Sequence, residues 1–333
     1  MWFSTSVPCV ELPKRNCMES NSEIIFSAHA HGKILLSGEY AILDGAKGFA
    51  IPLKKGQTLQ IGKTTSTDAY FISLDVEGNP WFEARFHPET LGVEMPIGTK
   101  EMLDRWMMVF EFARQKGVDL KEKLTGIQAV FHLEFPRNWG WGSSSTWISL
   151  LAKWLGLDAW ELNKHVFGGS GYDVFASFST SPYYFTLKEG VPQFENIPWN
   201  PSFLNQVFLV YLGQKQDSRA GIAQYQSKKV NVKWEGFVDK ANSCSIHLSK
   251  AENLFEFESY LQEHESIIRI LIGEETIQNR LFPDYRWGTV KSLGAWGGDF
   301  VLVTGAPQNV LDYFMKEKKL LVLPLHPLMV SSH

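Results

Sequence analysis

Hydrophobic and polar positions repeat with two different periods along this chain. Ile127, Ala129, Phe131, Leu133 and Phe135 alternate with Gln128, His132 and Glu134, the spacing of a strand with one face buried. Short apolar runs at 23–28 and 33–37 predict two strands, Gly45–Gly48 a turn, and 53–86 several antiparallel strands. Glu101–Lys116 mixes Met, Phe and Trp with charges and predicts a helix, while Ile148, Leu151, Ala152 and Leu155 predict another that Gly156 stops. Further strands are expected at Tyr183–Leu187, Val207–Leu212, Phe300–Thr304 and Leu320–Leu323, with a polar turn at Gln214–Arg219 and a helix over Asn309–Lys318. Strands cluster instead of alternating strictly with helices, which predicts an α+β fold. The Pro- and Asn-rich stretch at 191–203 reads as a domain boundary.

Composition narrows the class. With 333 residues, 44% of them hydrophobic, the chain has material for about two domains and a sizeable core. Its 32 Lys+Arg against 36 Asp+Glu give a formal net charge of −4. That balance argues against a nucleic-acid binder, which needs a basic footprint, but leaves room for a local basic pocket. No apolar run approaches the length of a membrane span. Cys9, Cys17 and Cys244 form no CxxC pair, a usage that fits a reducing, cytoplasmic setting. Pro8, Glu11 and Pro13 interrupt any secretory h-region. Met1–Cys17 reads as a disordered extension, or Met18 as the true start.

The chemistry concentrates at glycine clusters. Pro136-Arg137-Asn138-Trp139-Gly140-Trp141-Gly142-Ser143-Ser144-Ser145 joins the 127–135 strand to the following helix. Glycines let backbone N–H groups approach a ligand, and a helix N-terminus adds unsatisfied donors, so the turn suits an anion such as a nucleotide phosphate. An ordinary strand–helix turn with a serine cap would use the same residues. No GxxxxGK[ST] and no protein-kinase HRD or DFG set is present. His29 and His31 form an HxH, but nothing completes a zinc set.

Taken in order, the clusters resemble the motifs of the GHMP kinase superfamily, which includes galactokinase, homoserine kinase, mevalonate kinase and phosphomevalonate kinase. The first motif resembles Ala30–Leu43, the second, of PxxxGLGSS type, Pro136–Ser144, and the third, of GAGGGD type, Gly294–Asp299. The resemblance runs from residue 24 to about 320. Gly169-Ser170-Gly171-Tyr172-Asp173 looks most like phosphomevalonate kinases and a bacterial subgroup named for the Gly-Tyr-Asp motif. The chain departs from the pattern at His31 (usually Pro), Trp141 (Leu), Trp296 (Gly) and Tyr40 (His in mevalonate kinases). The two tryptophans beside these loops are either stacking platforms or hydrophobic filler.

The resemblance implies a disordered extension at 1–22, a ribosomal-protein S5-like ATP-binding domain at 23–198, and a ferredoxin-like domain at 199–333. It implies ATP and Mg²⁺ as cofactors, a small-molecule partner, and a monomer or homodimer. Pro136, Asn138, Gly140, Trp141, Gly142, Ser143, Ser144 and Ser145 would hold ATP. Ser144 and Glu161 would bind the metal, and Arg137 and Lys291 would balance charge. Asp173 would accept the acceptor's proton beside Lys33. Glu39, Tyr40, Ser170, Gly171, Ser218, Arg219, Gly294, Ala295, Gly297 and Gly298 would contact the acceptor, expected to be mevalonate or phosphomevalonate. A sugar or homoserine kinase, an ATP-consuming diphosphomevalonate decarboxylase and a binding-only member stay open.

Overall fold

A computed structural model of the chain describes residues 23–213, 223, 225–227, 236–294 and 299–330. The elements follow as β1 (Ile24–Ser37), β2 (Gly48–Lys63), β3 (Ala69–Leu74), β4 (Pro80–Phe86), β5 (Val93–Ile97), α1 (Lys100–Gln115), α2 (Leu120–Leu124), β6 (Ile127–Leu133), α3 (Ser143–Leu155), α4 (Ala159–Val166), α5 (Tyr172–Ala176), β7 (Tyr183–Lys188) and β8 (Val191–Asn196). A second run holds β9 (Val207–Tyr211), α6 (Phe237–Lys250), α7 (Leu254–Ile272), α8 (Ile277–Leu281), β10 (Val290–Ser292), β11 (Phe300–Thr304), α9 (Pro307–Val310) and β12 (Leu321–Pro324). The first eight strands form one sheet in the order β5-β4-β3-β6-β2-β7-β8, with β1 paired to β2 off this path. The other four form a second sheet, β10-β11-β9-β12, all antiparallel. The class is α+β.

Helix ends follow local chemistry. Thr99, Asp119, Asp158, Asn253 and Thr276 each accept a first-turn backbone N–H, satisfying donors that a helix leaves open. Trp106, Val109, Phe110 and Ala113 of α1 are buried, the i, i+3, i+4, i+7 stripe of a helix lying on a sheet. They pack with Phe71, Phe86 and Phe131 of the first sheet and Ile148 and Leu151 of α3. A second cluster joins both sheets: Ile34, Leu36, Phe49 and Ile51 meet Leu209, Phe300 and Leu302, with Phe257 from α7.

Three expectations change. The runs at 23–28 and 33–37 belong to one strand, β1, whose pairing with β2 shifts register between His31 and Gly32. The stretch at 191–203 opens with β8, an edge strand turned back on β7 through Glu189 and Gly190, both at positive φ. Pro192 is tolerated there because an edge strand has one side without ladder partners. The helix expected at 309–318 begins at Pro307 and widens to a π-helical turn over Leu311–Glu317.

Candidate functional site

The register shift in β1 frees backbone groups, and the chain uses them to bring the site together. The His31 N–H donates to Ser177 O at 2.9 Å, and the Lys33 N–H to Trp141 O at 2.9 Å. Gly32 between them has no room for a side chain: a Cβ would lie 2.8 Å from Lys55 O and 3.0 Å from Trp141 O. Lys33 is thus bonded by its backbone to the glycine–serine loop, and its Nζ donates to Gly140 O at 3.1 Å. The ammonium lies 5.4 Å from the centre of the Tyr172 ring. Loss of surrounding water pushes the Lys33 pKa down, and the charges of Asp173 and Asp299 push it back up.

The loop ends in two left-handed glycines, Gly140 at φ 64° and Gly142 at φ 93°. Gly142 caps α3, and its carbonyl accepts the Ser145 hydroxyl at 2.9 Å and the Thr146 N–H at 2.9 Å. Ser145 is therefore buried in the cap, whereas Ser143 is half-buried and Ser144 exposed. First-turn amides of a helix have no carbonyl four residues back, so α3 presents N–H donors beside an open serine, an arrangement suited to an anion. Trp141 is buried under the loop, stacked on Phe300 at 5.5 Å and edge-on to Trp139 at 4.6 Å. It is hydrophobic filler that anchors the loop to β11. Asn138 donates to the Tyr211 hydroxyl at 2.6 Å, a second tie to the other sheet. Arg137 lies over the Trp81 ring at 4.0 Å.

Ser170 and Gly171 lead into α5, whose first turn carries Asp173. Trp160 Nε1 donates to Ser170 O at 2.9 Å, and the Tyr183 hydroxyl to Tyr172 O at 2.8 Å, so the short helix is pinned from two sides. Glu161 goes elsewhere. Its backbone is capped by Asp158, and its carboxylate pairs with Lys116 at the end of α1. Neither partner belongs to the cluster around Lys33.

Lys291 does not face the loop as an ATP counter-charge. It is fully buried, donates to Glu39 Oε1 and to Ser292 O at 2.7 Å, and lies 3.9 Å from Glu265. His264 completes this second cluster: its Nε2 accepts the Gly38 N–H at 2.8 Å and stands 3.2 Å from Glu39 Oε2. Burial raises the Glu39 pKa against the pull of Lys291, raises Glu265 to about 8, and holds His264 well below its usual value. Glu39, expected at the acceptor, is thus closed off by this cluster. Tyr40 is buried too, stacked on Tyr225 at 5.5 Å. Gly294 is described; Ser218, Arg219, Ala295, Trp296, Gly297 and Gly298 lie outside the described residues.

Two participants were given no role from sequence. His264 falls on the buried stripe Phe257, Leu261, His264, Ile268, Leu271 of α7, and a histidine in an apolar stripe was the available clue. Asp299 ends the third glycine cluster and bears on Lys33 from the second sheet.

No protein-family model matches the chain, and no curated protein matches it in sequence. Solved structures do. Mevalonate kinase from L. major, in complex with R-mevalonate, is similar at a TM-score of 0.64 and 12% identity, over 94% of this chain and 100% of that one. Phosphomevalonate kinase from Streptococcus pneumoniae is similar at 0.63 and 15% identity, over 90% and 98%. Galactokinase from Lactococcus lactis, with galactose, is similar at 0.63 and 12% identity, over 92% and 94%. These likenesses span nearly the whole of each chain, so the fold that the three motifs foretold is the fold observed: this protein has the GHMP kinase fold.

Proposed function

We propose that the protein is an ATP-dependent small-molecule kinase, with residues 23–198 as the nucleotide-binding domain and 199–333 as the partner domain. The observation that carries the reading is Lys33, half-buried and bonded through backbone and side chain to the glycine–serine loop, with the Asp173 charge acting on it. Phosphoryl transfer needs positioning and charge neutralisation more than covalent chemistry. In this reading the α3 N-terminus and Ser143–Ser145 hold the β- and γ-phosphates. Asp173 takes the proton of the acceptor oxygen as that oxygen bonds to phosphorus and ADP leaves. Lys33 neutralises charge on the transferring group.

The loop fits a polyphosphate because glycine lets its backbone close on Lys33 and Ser145: a Cβ on Gly142 would lie 2.6 Å from Ser145 Oγ and 3.3 Å from Lys33 Cγ. Among the described residues no group of three or more His, Cys, Asp or Glu could hold a metal. Mg²⁺ needs no such cage, since it binds through one or two carboxylates plus phosphate oxygens and water. Bound there, it would stabilise negative charge on the phosphates.

For the acceptor we propose mevalonate or phosphomevalonate, on the Gly169–Asp173 segment and the similarity to structures of that specificity. A second structure of the S. pneumoniae enzyme, with phosphomevalonate and AMPPNP, supports ATP as donor. The test is ADP release with Mg-ATP against mevalonate, phosphomevalonate, diphosphomevalonate, homoserine and galactose, with product identification and Asp173→Ala as control. Turnover on mevalonate or phosphomevalonate, lost by a factor on the order of 10²–10⁴ in the control, is the expected result. Turnover confined to galactose or homoserine overturns the acceptor, and ATP binding without turnover on any of them overturns the kinase reading.

A further inference from the structure

Tyr172 stands beside the reacting groups with a hydroxyl that the fold does not use. Its ring centre lies 5.4 Å from the Lys33 ammonium, and the next residue, Asp173, acts on the same ammonium through its charge. Both belong to the first turn of α5, where consecutive side chains diverge by about 100°, so ring and carboxylate approach Lys33 from different directions. The position is fixed. The Tyr183 hydroxyl donates to Tyr172 O at 2.8 Å, and the Tyr172 ring packs against the cluster that holds Leu35, Ile42 and Tyr183. Just before it, a Cβ on Gly171 would meet Trp160 Cδ1 at 2.6 Å, so the turn that aims α5 sits tight against that indole.

The hydroxyl is what needs explaining. A tyrosine O–H taken out of water usually finds a partner, and those of Tyr183, Tyr285 and Tyr313 do. Among the described residues the half-buried Tyr172 hydroxyl has none. Burial and the charges of Asp173 and Glu39 raise its pKa well above the usual value, so it stays an O–H donor at neutral pH. An acceptor that offers one oxygen to Asp173 can still swing about that contact, and transfer in line with the phosphate needs a second hold. Glu39, expected to contact the acceptor, is enclosed with Lys291 and cannot give one. We infer that the Tyr172 hydroxyl is this second hold, donating to an oxygen of the acceptor while the ring walls it off from the apolar cluster behind. The acceptor class this suits carries a further oxygen near the one that is phosphorylated. The inference rests on the kinase reading above and deepens it.

Tyr172→Phe deletes the hydroxyl and keeps the ring, which separates this role from packing. Titration calorimetry on the full chain would measure mevalonate, phosphomevalonate, homoserine, galactose and ADP against the wild type and Tyr172→Phe, with urea unfolding of both. Whichever of the four acceptors the wild type binds, the variant should bind on the order of tenfold more weakly, the cost of one lost hydrogen bond. ADP affinity should not change. The urea midpoint should hold as well, because the hydroxyl has no partner in the fold to lose; this also certifies that the variant is folded. In turnover the same factor should appear in kcat/KM for the acceptor and not in KM for ATP. Equal acceptor affinity in the two proteins, whether or not the urea midpoint falls, overturns the inference and leaves the kinase reading standing. A loss confined to ADP does the same, since it moves Tyr172 to the nucleotide. A wild type that binds none of the four overturns the acceptor reading and this inference with it.

Discussion

Lys33, half-buried on β1, and Lys291, fully buried on β10, each set an ammonium in the field of two carboxylates. Lys291 is enclosed: Glu39 and the Ser292 carbonyl accept from it, and Glu265 lies at 3.9 Å. Among the described residues, the Lys33 ammonium donates to a backbone oxygen, while Asp173 and Asp299 act on it through their charges. An ammonium has three donors: Lys33 spends one on the loop and is half-buried, whereas Lys291 spends two inside a fully buried cluster that an incoming anion does not reach. Charge spent on side chains holds the structure. Charge held in place by backbone remains available for chemistry.

Removing each lysine is the strongest test of that contrast. Lys33→Met should lower turnover on the order of 10³-fold, comparable to losing a transition-state donor, while its urea midpoint stays close to that of the wild type. Lys291→Met should do the reverse: it leaves Glu39 buried without its cation, a loss of about 3–5 kcal/mol in urea unfolding. A destabilised Lys33→Met beside a stable Lys291→Met would invert the comparison.

A change of pH probes the closed cluster more gently. Glu265 titrates near 8 in the fold and near 4.3 in an unfolded chain, so across that window the folded state holds a proton that the unfolded state has released. Stability is therefore present at low pH and lost as pH rises, with a slope no steeper than about 1.4 kcal/mol per pH unit. His264, held neutral in the fold, acts with the opposite sign below about pH 6.5. Between about pH 6.5 and 8 the Glu265 slope should thus stand clear in urea unfolding, and Glu265→Gln should flatten it. The smallest effect belongs to the exposed pair: Glu161→Gln should change stability by less than about 1 kcal/mol and leave kcat unchanged. A large kcat loss there would put Glu161 back in the site.

What could be read in advance follows from how local each feature is. The β6 alternation and the α3 stripe are carried by neighbouring residues, so strand, loop and helix were legible; motif order also named Lys33, the loop and Asp173 together, and the fold brings them near one another. The His31–Gly32 break in β1 looked like a strand end because a register shift interrupts the apolar pattern as a turn does. Strand β8 escaped because most of its residues are exposed, which erases the alternation. The Glu39–Lys291 pair joins residues 252 positions apart, and no spacing rule reaches across that distance. Its partners His264 and Glu265 come from a helix that carries none of the motifs.

The hydrophobic cluster shared by the two sheets has a consequence for any attempt to shorten the protein. A gene cut between residues 198 and 199 would give two fragments, each with a bare oily face: Ile34, Leu36, Phe49 and Ile51 on one, Leu209, Phe257, Phe300 and Leu302 on the other. Between Asn196 and Val207 the chain passes from one sheet to the other, yet the two sheets share that apolar cluster. Either half made alone should clump or be digested, and the two should regain solubility only when produced together.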